Sequence, residues 1–137
     1  MNDNLWQQSY ELLKNGNYLR GISYLLEYIK SHENDSSAYN NLGFAYLQLG
    51  LYDKAEENLI KASEVSTKFD KIVYYNLARL YASIGDRYSK SNIGYATMNY
   101  KKALDYLKFY LEDKPNDKSA LILKLNIEKY LNLASGN

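Results

Sequence analysis

A 34-residue echo runs through the first half of this chain. Gly16-Asn-Tyr18 returns as Gly50-Leu-Tyr52, and Gly21, Leu25 and Tyr28 return as Ala55, Leu59 and Ala62. A fixed period in this range marks a repeat architecture. Each unit of such an array buries its apolar face only against its neighbours, and the stack exposes a long surface suited to binding. The period therefore limits what the chain can fold into before any single residue is considered.

Apolar residues recur at helical spacing between polar breaks. Residues 3–14 place Leu5, Trp6, Ser9, Leu12 and Leu13 on one stripe, and Asn15-Gly16-Asn17 ends that helix and is expected to cap the next. Residues 18–31 form the second helix, and the Asn-, Asp- and Ser-rich segment Ser31 to Ser37 is a loop with a fresh N-cap. The cycle restarts near Ser37, with one helix to Leu49, a break at Gly50 and another helix from Tyr52 to about Val65. Ser66 to Asp70 is the next connection, and a third cycle runs from Lys71 to Gly85. From the second unit to the third the period is 35, as Leu42 to Leu77 and Gly50 to Gly85 show.

On these residues the chain resembles the tetratricopeptide repeat (TPR) family, whose pattern is W-x2-L-G-x2-Y…A-x3-F…P. The second unit reads Tyr39-x-x-Leu42-Gly43-x-x-Tyr46, then Ala55-x-x-x-Leu59 and Ala62. The third reads Tyr74-x-x-Leu77-Ala78-x-x-Tyr81, then Ala103-x-x-x-Leu107, with Tyr110 and Pro115 at the closing positions. The first is degenerate, with Gln8 and Ser9 in place of Leu-Gly. The resemblance implies an all-α, right-handed α-solenoid of helix-turn-helix repeats. Its units would be about 2–35, 36–69 and 71–117, within one domain spanning 1–137. Small residues at Gly21, Gly43, Ala55, Ala78 and Ala103 would sit where paired helices approach closely.

The third unit carries about thirteen extra residues, Arg87 to Asn99. Ala96 to Asn99 extend the following helix backward by about a turn, and the rest reads as a polar loop. A last helix, about 118–134, reads as a capping helix, which a solenoid requires at its open end. Leu121, Ile122, Leu123, Leu125, Ile127, Tyr130, Leu131 and Leu133 make it more apolar than one buried stripe absorbs. Either it packs deeply or part of it meets a second copy, giving a homodimer.

Composition excludes several classes of activity. The chain has no Cys and one His, so neither a zinc cluster nor a thiol or Ser-His nucleophile can be assembled from its usual parts. No Gly-rich phosphate loop is present. No enzyme activity, metal or cofactor is expected. The net charge of +1 argues against a general nucleic-acid or membrane-surface field. Lys101, Lys102 and Lys108 form a small basic patch with no evident aromatic platform beside it. The N-terminal residues show neither a basic n-region nor an apolar h-region, and the chain is expected to be cytoplasmic. The balance of charge hides an asymmetry. Residues 1–70 hold 6 basic and 10 acidic side chains (net −4), while residues 71–137 hold 11 and 6 (net +5). That polarity is compatible with head-to-tail stacking, with an acidic partner at the C-terminal end, or with two solvated faces that happen to differ.

In proteins with this repeat the first helix of each pair lines a concave groove. The resemblance therefore implies a groove lined by Trp6, Gln7 and Tyr10, by Asn40, Asn41, Phe44, Leu47 and Gln48, and by Tyr75, Asn76, Arg79 and Ser83. Asn41 and Asn76 occupy matching places in successive units, with Gln7 in the first. An amide both donates and accepts, so such a ladder suits a peptide backbone. The family's chaperone-tail binders carry Lys and Arg at set places, where this chain has Trp6, Tyr10, Ile72 and Asn76. The expected partner is accordingly a protein segment, bound by a non-enzymatic adaptor through a neutral aromatic groove.

Overall fold

A computed structural model describes residues 2–66, 71–134 and 136, without the side chains of residues 2, 3 and 134. Its described residues form α-helices and no strands: an all-α helical-repeat fold. The helices gather into two compact units, Met1–Asp70 and Lys71–Asn137. Residues 67–70 of the connection predicted over Ser66 to Asp70 lie outside the described residues.

Unit 1 contains α1 (Asn2–Lys14), α2 (Tyr18–Ile29), α3 (Ser36–Gln48) and α4 (Tyr52–Val65). Both tight turns use the same device. Gly16 (φ 81°) and Gly50 (φ 73°) adopt the left-handed conformation that ends a helix at little steric cost in glycine. The next amide then reaches back, Asn17 N–H to Leu12 C=O at 2.8 Å and Leu51 N–H to Tyr46 C=O at 3.0 Å. These bonds satisfy carbonyls that the helix end would otherwise leave open. Asn17 makes no side-chain cap bond, contrary to the expectation from sequence, so the turn itself starts α2. The cap of α3 is Asp35, whose carboxylate accepts from Ala38 N–H at 3.2 Å and from the Tyr28 hydroxyl at 2.8 Å.

The core of unit 1 alternates large and small side chains. Leu25, Leu42 and Leu59 are fully buried beside Ala38, Ala45, Ala55 and Ala62. Each such leucine contributes about 2 kcal/mol by leaving water. The glycines permit the close helix crossings. A Cβ on Gly21 would stand 2.6 Å from Leu13 Cδ2, and one on Gly43 would collide with the Leu59 side chain.

Unit 2 contains α5 (Ile72–Tyr88), α6 (Ile93–Asp113) and α7 (Lys118–Ala134). Here the structure corrects the loop predicted for the insertion. Only Ser89 to Asn92 lie outside the helices; Arg87 and Tyr88 lengthen α5, and Ile93 to Asn99 lengthen α6. The helices measure 17 and 21 residues, against 13 and 14 for α3 and α4. Gly85 stands where Gly50 turns the chain, yet it remains helical, and its missing Cβ makes room for the Tyr100 ring. Asn92 caps α6 by accepting from Tyr95 N–H at 3.0 Å. Ala96, Asn99, Tyr100 and Ala103 supply the buried stripe that holds the added turns on α5.

The cap device of unit 1 recurs at α7. Asp117 accepts from Ala120 N–H at 3.1 Å and from the Tyr110 hydroxyl at 2.6 Å, in the manner of Asp35 with Ala38 and Tyr28. α7 buries Ala120 and Ile127, and Tyr130 packs on Tyr100 at 4.4 Å between centroids. Leu121, Ile122, Leu125 and Leu133 remain exposed, so the helix does not pack deeply enough to absorb its apolar residues.

Candidate peptide-binding cleft

Between α1 and α3 of unit 1 lies an open cleft of about 310 Å³, lined by Tyr10, Leu13, Lys14, Tyr18, Asn41 and Phe44. Helical spacing sets this group. Tyr10, Leu13 and Lys14 fall on one face of α1, and Asn41 and Phe44 on one face of α3. The turn at Gly16 swings Tyr18 back toward α3, where its ring meets Phe44 edge-on at 6.2 Å. Gln48 Nε2 donates to the Tyr18 hydroxyl at 3.3 Å. The walls thus combine three aromatic rings with an amide, and Lys14 is the one charged residue among them. Such a surface offers apolar contact area, a group that both donates and accepts, and a cation for a carboxylate or carbonyl.

The predicted groove residues separate into several places. Tyr10, Asn41 and Phe44 meet in the cleft, with Gln48 joined to it through Tyr18. Asn40 is half-buried on α3. Leu47 is buried and belongs to the core instead of the groove. Trp6 is half-buried against the unit 1 core, with its ring 5.5 Å from that of Tyr28. Gln7 opens on a different cleft, of about 320 Å³, with Gln8, Glu11, Leu12, Arg20 and Tyr24. In unit 2, Tyr75 stacks on Tyr110 at 5.0 Å, and the Arg79 guanidinium lies 5.9 Å from the Tyr75 centroid. Asn76 is buried, whereas Asn41 is half-buried and faces the cleft. The sequence reading missed Leu13, Lys14 and Tyr18. Tyr18 belongs to the repeated Gly-x-Tyr turn, and that echo was the available signal.

Other chemistry has structural explanations. His32 stacks flat on Tyr28 at 4.1 Å, and its Nδ1 lies 3.2 Å from the Tyr28 carbonyl oxygen. Among the described residues no group of three or more His, Cys, Asp or Glu side chains is placed to hold a metal ion. No described helix is long and apolar enough to cross a membrane. Two tyrosines are strongly perturbed. Burial, with a hydrogen bond to Asp117, pushes the Tyr110 phenol up to about 12. Burial, with a hydrogen bond to Asp86, raises Tyr100 further. The bond from Tyr110 holds the Asp117 carboxyl below its ordinary value. All three groups tie helices together, so their shifts report packing.

Paired helices, left-handed glycine turns and a recurring Tyr–Asp cap define a helical-repeat protein of the kind that works by binding. The chain belongs to the tetratricopeptide repeat family, whose model matches residues 34–113. A comparison with curated proteins finds none that matches. Repeats of this family generally mediate protein–protein interaction, and such domains are typically non-enzymatic.

Proposed function

We propose that this protein is a non-enzymatic adaptor that binds a peptide segment of a partner protein, with the cleft between α1 and α3 as its principal contact. The cleft itself carries the reading: Tyr10, Tyr18, Phe44 and Asn41 come together from three helices, with Lys14 at the margin. Aromatic walls receive apolar side chains of the segment, and the Asn41 amide holds its backbone. Gln48, joined to the cleft through the Tyr18 hydroxyl, and the half-buried Asn40 on α3 flank this contact. The test is selection of peptides from a random displayed library, followed by fluorescence anisotropy of a selected peptide. Asn41→Ala with Phe44→Ala should weaken binding at least about 10-fold, the loss of one good anchor, with helical circular dichroism unchanged. Full retention of affinity refutes the cleft.

A second reading rests on α7. Its exposed Leu121, Ile122, Leu125 and Leu133 support a module that self-associates through this helix. Sedimentation at micromolar concentration decides it, because a chain that remains monomeric removes the reading.

A further inference from the structure

The two tight turns of unit 1 share one backbone device but differ in chemistry. In the second turn Gly50 follows Leu49, whereas in the first Gly16 follows Asn15, and no other asparagine of the chain precedes a glycine. An asparagine in that place sets an electrophile, its side-chain carbonyl carbon, beside a nucleophile, the glycine amide nitrogen. The glycine has no Cβ to hinder their approach. The structure leaves the pair accessible. Asn15 and Gly16 are both exposed, and among the described residues the Asn15 side chain has no hydrogen-bond partner. A Cβ on Gly16 would meet nothing within 4 Å, so a ring closed at this peptide has room. One bond guards the nucleophile, Gly16 N–H to Leu13 C=O at 3.1 Å. It belongs to the end of α1, and helix ends open locally at little cost.

We propose that Asn15 is a self-modification site, which converts to aspartate and isoaspartate. In the first step Gly16 N bonds to Asn15 Cγ, the Cγ–Nδ2 bond breaks, and ammonia leaves with the proton of the Gly16 N–H. In the second, water opens the succinimide. Opening at the Cγ–N bond gives aspartate, and opening at the backbone C–N bond gives isoaspartate, whose main chain runs through Cβ and Cγ. One water is consumed and one ammonia released, and no other reactant is required. Other asparagines are held differently. Asn76 and Asn99 are buried, and Asn92 Oδ1 accepts from Tyr95 N–H at 3.0 Å.

Both products change what the turn does. Each puts a carboxylate at the C-terminal end of α1, where the helix dipole and the open carbonyls disfavour negative charge. The new charge stands next to Lys14, an exposed side chain with no ion-pair partner among the described residues, and draws its ammonium away from the cleft that it lines. Isoaspartate also lengthens the main chain between Leu12 and Asn17, whose 2.8 Å hydrogen bond closes the turn. That turn delivers Tyr18 to Phe44. Lys14 and Tyr18 are two of the cleft's walls, so conversion weakens the cleft as the chain ages. The effect on binding rests on the reading of the cleft as a peptide site; the modification itself does not.

The test incubates the full chain in mildly alkaline buffer at body temperature and follows every asparagine by peptide mapping with mass spectrometry, using an isoaspartyl methyltransferase to label isoaspartate. Asn15 should convert before any other asparagine, give both products, and convert faster as pH rises, because the attacking amide nitrogen must lose its proton. Persistence of Asn15 as the amide, or conversion no faster than at the other asparagines, overturns the proposal. A library-selected peptide is then titrated into fresh chain, aged chain and aged Asn15→Gln chain, and circular dichroism checks that each is folded. The aged chain should lose about 10-fold in affinity, the worth of one displaced anchor, and the aged Asn15→Gln chain should lose none. Equal affinity of fresh and aged chain, or an equal loss in Asn15→Gln, overturns the effect on the cleft. Failure of the cleft reading itself looks different: Asn41→Ala with Phe44→Ala would then leave the affinity of the fresh chain unchanged, whatever the state of Asn15.

Discussion

Replacing Gly43 with alanine adds one methyl group where α3 crosses α4. On the helix alone the change is favourable by up to about 1 kcal/mol, because alanine is the better helix former. The structure reverses that sign. The new Cβ would collide with the branched end of Leu59, and the Ala55 carbonyl oxygen would stand 3.3 Å away. Leu59 is fully buried, so moving it aside means displacing its neighbours in the core. Overpacking of this kind costs about 1–3 kcal/mol, and the severity of the overlap places Gly43 near the upper end. The net expectation is a loss of about 1–2 kcal/mol, or roughly 3–8 °C in Tm for a chain of this size. Gly94 is the control. It sits in the first turn of α6, and the nearest atom to an added Cβ is Asn92 Oδ1 at 3.8 Å. Gly94→Ala should therefore stabilise by up to about 1 kcal/mol. Urea unfolding followed by far-ultraviolet circular dichroism measures both. A third variant isolates the contact. Leu59→Ala alone costs about 2–5 kcal/mol, and in its presence Gly43→Ala should lose most of its penalty, a coupling of about 1 kcal/mol or more. Neutral or stabilising behaviour of Gly43→Ala, or strict additivity with Leu59→Ala, would refute the reasoning.

Three further outcomes follow from the same contacts. Tyr110 and Tyr100 should ionise last among the tyrosines in a phenolate absorbance titration, and Tyr110→Phe should remove the component near pH 12. Because the folded pKa of Tyr110 lies above its ordinary value of 10.0, its contribution to stability is complete below that pH and lost as pH rises toward 12. Asp117 behaves oppositely. Its folded pKa lies below 3.8, so its contribution is present above that pH and lost as pH falls through the lowered value. Unfolding midpoints measured from pH 6 down to about pH 2 should therefore fall more steeply for the parent chain than for Asp117→Asn. On α7, Ile122→Lys with Leu125→Lys should abolish any concentration-dependent association seen by sedimentation, and an unchanged dimer would show that another surface is used.

The repeat was legible because its chemistry is local. Small residues at Gly43 and Ala55 and large ones at Leu42 and Leu59 recur at fixed spacing, and that pattern defines how paired helices meet. The insertion misled for a compositional reason. Ser89, Ser91, Asn92 and Gly94 read as a loop, but Ala96, Asn99, Tyr100 and Ala103 continue a helical stripe, and Asn92 acts as its cap. Gly85 looked like the turn glycine of its repeat, yet a glycine also serves inside a helix where a ring must approach, and Tyr100 is that ring. The cleft was partly legible. Spacing along α1 and α3 selects Tyr10, Asn41 and Phe44, but the entry of Tyr18 depends on the three-dimensional course of the turn at Gly16. Burial of Leu47 and Asn76 likewise depends on neighbours that a helical wheel does not show.

The central claim is that a peptide segment lies in the cleft between α1 and α3, and crosslink mapping tests it most directly. A library-selected peptide carrying a benzophenone is irradiated with the intact chain, and the modified residues are identified by mass spectrometry. The account predicts crosslinks concentrated at Tyr10, Lys14, Tyr18, Asn41 and Phe44, which disappear with excess unlabelled peptide. Competed crosslinks confined to α6 or α7, with none on α1 or α3, would contradict it.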